Sequence, residues 1–329
     1  MKIVIPGGTG QVGGVLVRGL GALGHEVVVL SRGGRDIRGG VEGGGGARRV
    51  RWDGRTLGNW AAEIDGADAV VNLAGRSVNC RYDKTNLTEM LVSRTDSTRA
   101  VGRAIEAASR PPRAWLQAST ATIYAHRYDA PNDEATGVIG GQEPDAPAYW
   151  RYSIEIAKAW EREQADARTP RTRRVALRMA IVMSPDRGGT FALLQRLARL
   201  GLGGPIAGGA QWVSWVHDHD LVRAVVWLLE HEEVEGPVNV AAPGPLPQRE
   251  FMRALRRAVG VPFGMPGPRR LLDVAAWIHR TDPELLLKSR RVVPGRLLDA
   301  GFRFGFPSWP EAAVELHGRR RKYEGRRTQ

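Results

Sequence analysis

The spacing of three glycines near the start of the chain could bind a phosphate group. Gly7, Gly10 and Gly13 are separated by two residues each and directly follow the apolar run at residues 2–5. Such glycines permit a tight turn, a close approach of the backbone to a diphosphate and close packing of the next helix on the strand. The diphosphate would lie on the helix N-terminus, where unpaired N–H groups and the helix dipole stabilise it. The pattern predicts dinucleotide binding by Gly7, Thr9, Gly10, Gln11, Val12 and Gly13.

The residues after the second apolar run indicate which dinucleotide the protein binds. That run, at residues 26–30, is followed by Ser31 and Arg32, with Arg35 close behind. An NAD site usually has an acidic residue about 20 residues past the glycines, which holds the ribose 2′-hydroxyl. A guanidinium suits a 2′-phosphate and cannot replace that carboxylate. We therefore predict NADP(H) as the cofactor; the alternative is that Arg32 is one more surface arginine.

Two further segments fit the same ligand. Trp52 and Asp53 follow the third predicted strand, where a carboxylate could accept a hydrogen bond from the adenine amino group. The fourth run ends at Asn72 and continues into Leu73, Ala74 and Gly75, which bring small residues and backbone near the middle of the cofactor. Asp after a strand is also a common turn former. Together with the glycines, these segments predict one groove at the carboxyl ends of the strands.

Short apolar segments alternate with helical patterns through the first two-thirds of the chain. This alternation predicts an α/β fold, a Rossmann-type doubly wound parallel sheet with helices on both faces. The predicted helices are Gln11–Leu23, Leu87–Ala108 and Tyr149–Ala167. The predicted strands are Lys2–Ile5, Glu26–Leu30, Arg48–Arg51, Ala69–Asn72, Ala114–Ala118, Arg174–Arg178 and a late seventh at Val238–Val240.

The pattern changes after about residue 185. Two long loops, Gly33–Ala47 and Ala130–Pro147, lie before that point, and helical segments separated by Gly/Pro turns follow it. The later helices are predicted at Phe191–Leu200, Leu221–Glu230, Gln248–Val259 and Arg269–His279. We predict an NADP-binding domain at 1–185, to which a strand near 236–242 returns. We also predict a smaller, mostly helical substrate cap at 186–235 and 243–318, and a solvated basic tail at 319–329.

Composition limits the choice of partners. The net charge is +13, but lysine supplies five of the 48 basic residues and the arginines are scattered, so we expect no specific nucleic-acid partner. No apolar run approaches the roughly 18–20 residues that span a bilayer, and the chain begins with a strand-like segment, so we expect neither membrane insertion nor a signal peptide. Cys80 is the only cysteine, which fits a cytoplasmic location. The oligomeric state stays open, a homodimer included.

Stretches along nearly the whole chain resemble one superfamily, the extended and atypical short-chain dehydrogenase/reductases. More narrowly, they resemble its NADP-binding "epimerase family" branch, which carries a C-terminal domain of unknown function. The resemblance implies a Rossmann fold and adds Arg94 and Ala118 to the expected cofactor contacts. The matching stretches are Gly7–Gly13, Ser31-Arg32, Trp52-Asp53, Asn72–Gly75, Ser93-Arg94, Trp160-Glu161, Gly201–Pro205, Trp215–His217 with Asp220, Gly236–Asn239, Ala242-Pro243, Arg291–Pro294, Gly301–Phe304 and Pro307.

The superfamily's chemistry normally needs a tyrosine with a lysine four residues later, where the ammonium lowers the phenol pKa and the phenolate takes a proton. A serine or threonine after the preceding strand positions the substrate oxygen, and Ser119 or Thr120 fits that role. The tyrosine–lysine pair is absent. Depending on the alignment through Trp160-Glu161, its positions hold Ser153 and Ala157, or Ile154 and Lys158. Tyr149 joins Thr120 and Ser119 as a candidate catalytic residue; Tyr124, Tyr152, Glu134, Lys84 and Arg81 are further options, each with a structural alternative.

Two remaining motifs have competing interpretations. The run from His217 to Asp220 could hold a metal, but no second Cys or His cluster accompanies it, so we predict that Asp220 caps a helix and His217 packs below the groove. The Trp-rich stretch Gln211–Trp215 either lines a pocket or joins core and cap. The sequence thus favours an NADP(H)-dependent oxidoreductase or nucleoside-sugar-epimerase-like enzyme acting on an unidentified small molecule. The alternative is a catalytically silent NADPH-binding sensor.

Overall fold

A seven-stranded parallel sheet forms the centre of the protein. The computed structural model describes residues 1–33, 47–144, 146–267 and 284–325. The strands lie in the order β10-β6-β5-β4-β1-β2-β3, and all seven coincide with the predicted segments to within two residues at either end. They are β1 (Lys2–Pro6), β2 (Glu26–Ser31), β3 (Arg48–Arg51), β4 (Ala69–Asn72), β5 (Ala114–Thr120), β6 (Arg173–Met179) and β10 (Gly236–Val240).

Helices cover both faces of this sheet because its strands are apolar on both sides. Ile3 and Ile5 belong to the core that includes α1 (Gln11–Ala22) and α5 (Asp218–Glu230). Val4, between them, points to the opposite face and joins the core formed with α2 (Lys84–Ala107). A third helix, α3 (Arg151–Ala165), packs beside α2. The predicted Rossmann-type fold is confirmed.

The strand order reverses direction at β1. From there β2 and β3 extend the sheet to one side, and β4, β5, β6 and β10 extend it to the other. In open α/β sheets, ligands bind outside the carboxyl ends of the strands at such a switch point. The Gly7–Gly13 turn follows β1, and the Leu73–Gly75 segment follows β4, so the fold brings both to this point.

The C-terminal part is mostly helical, as predicted, but it also contains short strand pairs. The helices are α4 (Thr190–Arg199), α6 (Gln248–Val259), α7 (Glu284–Leu287), α8 (Gly295–Asp299) and α9 (Trp309–Gly325). Parallel β7 (Ile181–Met183) and β9 (Trp215–His217) form one pair, and antiparallel β8 (Trp212–Val213) and β11 (Leu246–Pro247) form the other. The predicted helix at Arg269–His279 lies outside the described residues.

Aromatic side chains settle the role of the Trp-rich segment. Trp215 is fully buried, and its ring lies 5.0 Å from that of Trp309 in α9. Trp309 in turn stacks on Phe251 of α6 at 3.9 Å. This part of the segment therefore joins the sheet to the C-terminal helices and does not line a pocket.

Two details of the C-terminal part differ from expectation. Asp220 does not cap α5: the helix begins at Asp218, and His217 is its N-cap, whose side chain accepts a hydrogen bond from the His219 amide. Asp220 is buried and accepts from the amides of residues 305 and 306, so it anchors a loop. The basic residues from Arg319 to Lys322 lie in α9, and Arg319 pairs with Asp218 at 2.5 Å, so the described part of the predicted tail is ordered by helix and ion pair.

Candidate functional site

The glycine turn after β1 is packed too closely for any other residue at its first position. Gly7 has φ +78°, and a Cβ there would lie 2.7 Å from the Ala74 nitrogen. A Cβ on Gly13 would lie 2.5 Å from the Gly8 backbone. The first contact brings the end of β4 against the turn, and the second brings α1 onto it. The two predicted segments of the groove therefore share one surface.

The N-terminus of α1 is free to bind an anion. Its N-cap, Gly10, has an extended backbone and no side-chain cap, and the first turn of the helix contains no acidic residue. The first amides of a helix have no partner within it, and they carry the positive end of the dipole. Gln11 begins the helix, and its buried Nε2 has no hydrogen-bond partner in the described part of the chain. Within the described ranges, neither a side-chain cap nor a first-turn carboxylate neutralises these donors.

The end of β2 presents the residues predicted to select the nucleotide. Ser31 is buried, and its Oγ finds no hydrogen-bond partner in the portions that the structure describes. Arg32 follows it and is exposed, and it forms no ion pair with a described carboxylate. The third predicted residue, Arg35, lies outside the described residues. Ser31 and Arg32 thus offer a hydroxyl and a guanidinium to a phosphate.

The structure gives Trp52 and Asp53 local roles. Trp52 is buried and packs edge-to-face on Trp60 at 5.2 Å. The Asp53 carboxylate accepts from Thr56 and from the amide of Arg55. These bonds lower its pKa to about 2, with the Thr56 hydroxyl as the largest cause. Asp53 therefore holds a turn, and an adenine contact by it stays a prediction.

A buried hydrogen-bond network fixes the segment after β4. Asn72 donates to Gln117 at 3.0 Å and accepts from the Ala74 amide at 3.1 Å, which sets the path of Leu73 and Ala74. Gly75, next in the chain, packs against the side chain of Arg94. The backbone of the groove floor is therefore fixed by side chains of two neighbouring strands.

Arg94 is a buried cation beside this segment. Its guanidinium lies 4.8 Å from the Trp160 ring centre and donates to the Met90 carbonyl at 2.9 Å. No carboxylate among the described residues pairs with it, and burial lowers its pKa to about 10. A cation so placed is available to an electron-rich group in the groove.

Ser119 and Thr120, predicted as alternatives, point to opposite sides of β5. Ser119 is buried and donates to Glu161 at 2.6 Å, and Glu161 pairs with Arg178 at 2.8 Å. This bond gives Ser119 a structural role. Thr120 is partly exposed, and its Oγ1 accepts from the Thr122 amide at 3.1 Å. Of the two, Thr120 can meet a substrate oxygen, while the buried Ala118 forms part of the strand beneath.

The structure also distinguishes the two alignments of α3. Ala157 is buried in a cluster with Ala121 and Tyr124, so its face of the helix meets the end of β5. Ser153 lies one turn earlier on that face. Lys158 instead pairs with Glu155, an exposed neighbour on the same helix. Ser153 and Ala157 therefore lie on the face of α3 that meets the end of β5, and Lys158 does not.

The side chains of the other candidate acids and bases either make contacts within the protein or are exposed. Tyr149 is 38% exposed, and its ring packs edge-on to Trp150. Tyr124 is buried, donates to Asn239 and accepts from Arg178, and burial raises its pKa. The Glu134 carboxylate accepts from the backbone of residues 239 and 296. Tyr152, Lys84 and Arg81 are exposed.

A charged cluster from the C-terminal segment completes the site, and the sequence analysis missed it. Glu284 accepts from Ser153 Oγ at 2.6 Å, and Lys288 Nζ donates to the Thr122 carbonyl at 2.9 Å. Arg290 Nε lies 3.2 Å from Thr122 Oγ1. All three charged residues are buried. No local pattern marks them, because their partners lie more than 120 residues away in sequence.

The histidine of the possible metal motif is engaged by other groups of the protein. His217 lies 2.9 Å from Glu315 and stacks on Phe306, and no group of three potential metal ligands occurs within the described ranges. Within those same ranges, none of the helices is long and apolar enough to cross a membrane.

Comparison with known proteins accounts for this architecture. Residues 3–241 match the model of the NAD dependent epimerase/dehydratase family, and residues 268–316 match a domain of unknown function, DUF1731. The chain is 34% identical over 322 residues to the epimerase family protein SDR39U1 of Bos taurus, covering 96% of this chain and 99% of that protein. The human protein of the same name is 32% identical over 321 residues, with the same shares covered.

Comparison with solved structures leads to the same family. The crystal structure of human SDR39U1 (isoform 2) with NADPH superposes with a TM-score of 0.81 at 30% identity, covering 97% of this chain and 99% of that one. UDP-N-acetylglucosamine 4-epimerase from Bacillus cereus shares the fold, with a TM-score of 0.70 at 19% identity over 98% and 99% of the two chains. The resemblance drawn from the sequence is confirmed: this chain belongs to the NAD dependent epimerase/dehydratase family, within the short-chain dehydrogenase/reductases, and carries a C-terminal DUF1731 domain.

Proposed function

We propose that this protein binds NADPH across the carboxyl ends of β1, β2 and β4 and uses it in a redox or epimerase-like reaction on a small molecule. The observation that carries the proposal is the turn at Gly7, packed on Ala74 and leading into a helix N-terminus with neither a cap nor an acidic residue. That turn would take the diphosphate. The human relative whose structure contains NADPH supports the same assignment.

The end of β2 favours NADPH over NADH. Ser31 and Arg32 occupy the place where a carboxylate would hold a 2′-hydroxyl, and the unpartnered Ser31 Oγ is suited to a phosphate oxygen. A 2′-phosphate would receive a charge-assisted hydrogen bond from Arg32. The single cysteine, Cys80, accords with a cytosolic location, where this cofactor would be met in a reducing compartment.

When bound, NADP(H) supplies or accepts a hydride at its nicotinamide ring. The chain's part is to bind and orient the second reactant. Thr120 would hold the substrate oxygen, since it is the partly exposed hydroxyl at the end of β5. Arg94 would hold an electron-rich group of cofactor or substrate beside Gly75.

One observation favours a second function, a catalytically silent NADPH-binding regulator. The burial of Ala157 beside the end of β5 favours the alignment that puts Ser153 and Ala157 in the places of the superfamily's tyrosine and lysine. On that alignment neither side chain can reproduce the lowered pKa of the pair. A protein of this kind would bind NADPH with the same residues and turn over no substrate.

Titration with NADPH and NADH, followed by a screen of carbonyl substrates at the nicotinamide absorbance band, separates these functions. The proposal predicts tighter binding of NADPH and consumption of NADPH with a member of the screen. Thr120→Ser should retain turnover and Thr120→Val should lose it, with unchanged NADPH affinity in both. Saturable NADPH binding without turnover would support the regulator; absence of saturable binding would contradict both functions.

A further inference from the structure

The site at the end of β5 contains a proton acceptor that comes from outside the Rossmann-type sheet. Glu284, at the start of α7, accepts the Ser153 hydroxyl proton in a 2.6 Å hydrogen bond. Ser153 is partly exposed on the face of α3 that meets the end of β5, whereas Glu284 is fully buried behind it. A hydroxyl in front of a buried carboxylate is an arrangement that can relay a proton.

Lys288 holds this carboxylate in place. Its Nζ lies 3.7 Å from the Glu284 carboxylate and donates to the Thr122 carbonyl at 2.9 Å, so it bridges α7 and the segment after β5. Burial lowers the pKa of the Lys288 amine to about 8, partly offset by the negative charge of Glu284. The ammonium form therefore loses its proton at a lower pH than an ordinary lysine does.

Other charged groups surround the amine. Arg290 lowers its pKa further by like-charge repulsion, and Glu143, from the loop before α3, raises it. Tyr82, from the loop before α2, is close enough to Arg290 and Arg94 to affect the pKa of both. The cluster thus extends from the C-terminal segment toward the groove residue Arg94.

Stability alone does not account for three buried charges at this junction. Replacing a buried ion pair by apolar residues of similar size is often neutral or stabilising, because desolvation of the charges offsets their attraction. The neighbouring junction between α6 and α9 uses apolar side chains, Phe251 stacked on Trp309. Strongly shifted ionisable groups with specific partners are characteristic of functional sites.

We propose that Ser153 and Glu284 together take over proton transfer in this protein, with Lys288 as the residue that positions Glu284. The inference rests on the NADPH-dependent function proposed above. During substrate oxidation the substrate O–H bond breaks and its proton passes to Ser153 Oγ. The Ser153 proton passes at the same time to Glu284 and forms a new O–H bond there, while the substrate C–H bond breaks and its hydride reduces NADP⁺ to NADPH. The C-terminal domain then supplies a catalytic group that the sheet lacks.

Proton release on cofactor binding tests whether this cluster faces the nicotinamide. NADP⁺ carries a positive ring, which would lower the pKa of a nearby ammonium, whereas NADPH has a neutral ring. Calorimetric titration at pH 8 in buffers of different ionisation enthalpy counts the protons. Because the pKa of the Lys288 amine is about 8, part of the Lys288 population is protonated at that pH, and we expect NADP⁺ to release a measurable fraction of a proton more than NADPH.

Variants of Lys288 show whether this residue is the source of the released protons. Lys288→Arg keeps the positive charge but does not titrate near pH 8, so it should abolish the difference, and Lys288→Met should do the same. Lys158→Met is the matched control, since Lys158 pairs with an exposed glutamate on α3, and it should behave as the parent protein. An undiminished difference in Lys288→Arg, or equal release with both nucleotides in the parent protein, would overturn the inference.

Kinetics test the relay itself, with 9,10-phenanthrenequinone as a common carbonyl probe. Glu284→Gln and Ser153→Ala should lower kcat by about 10²-fold, the usual contribution of general acid–base catalysis, with the Kd of NADPH within twofold of the parent value. Ser153→Thr should restore turnover, and the exposed Glu155→Gln should not change it. Full kcat in Ser153→Ala with NADPH binding intact would refute the relay alone, whereas loss of NADPH binding in the parent protein would refute the proposed function as well.

Discussion

Replacement of Arg32 by alanine should remove most of the preference for NADPH. The residue follows β2, is exposed and forms no ion pair with a described carboxylate. Its removal therefore breaks no ion pair among the described residues. A hydrogen bond to a charged group contributes about 1.5–3 kcal/mol, and solvent exposure places this one near the lower end. Since 1.4 kcal/mol is a factor of ten, NADPH affinity should fall about tenfold.

The assay is a fluorescence titration of both nucleotides at fixed ionic strength. NADH lacks the 2′-phosphate, so its affinity for Arg32→Ala should stay within about twofold of the parent value. Arg113→Ala is the matched control: it removes the same charge next to the opposite end of β5, where Arg113 pairs with the exposed Glu232. The reasoning is refuted by equal or tighter binding of NADH to the parent protein, or by an unchanged ratio of the two affinities in Arg32→Ala.

Three further predictions concern the framework of the site. Gly7→Ala should weaken NADPH binding and lower the free energy of unfolding in urea. Gly24 is the control, since it has a similar φ of +80° but no neighbour within 4 Å, so Gly24→Ala should lower the free energy of unfolding by only about 1–2 kcal/mol. Equal losses in the two variants would contradict the close packing of Gly7 on the end of β4. Glu161→Gln should lower the free energy of unfolding in the same assay by about 3–5 kcal/mol, because it leaves the buried Arg178 without its ion-pair partner. A smaller loss in the double variant with Arg178→Met would confirm that cause. Burial lowers the pKa of His217, so the contribution of the neutral imidazole to stability is present above the unfolded pKa of 6.5 and is lost as the pH falls below it. The free energy of unfolding of His217→Asn should therefore fall less steeply between pH 7 and pH 5 than that of the parent protein. An identical pH dependence in the two proteins would rule the effect out.

Local patterns were sufficient to predict the sheet and the glycine turn. Strands buried on both faces have short continuous apolar runs, and β1, β2 and β4 fall where such runs occur. The edge strand β3 has the sequence Arg-Arg-Val-Arg, and its prediction depended on the alternation of strands and helices around it. The turn at Gly7 is likewise a local feature, since its backbone conformation and its position between strand and helix are both evident in sequence. Helix starts were less accurate: α5 begins three residues before the predicted Leu221 because His217, not Asp220, caps it.

The chemistry of the site depended on contacts that no local pattern contains. Ser119 and Thr120 are adjacent in sequence, yet only the structure shows that Glu161 engages the first and leaves the second at the groove. Glu284 and Lys288 meet residues more than 120 positions earlier, so spacing could not reveal them. The amino-acid composition of their segment is typical of any helix. Its contacts with Ser153 and Thr122 depend on how the C-terminal part packs against the rest of the protein.

A crystal structure of the protein with NADPH would test the central claim most directly. The account predicts that the diphosphate lies on the amides at the start of α1 and that the 2′-phosphate lies against Ser31 and Arg32. It also predicts that nicotinamide C4 faces Thr120 and Ser153, with Glu284 still bonded to the Ser153 hydroxyl. A diphosphate bound away from the Gly7 turn, or a nicotinamide ring remote from the end of β5, would contradict it.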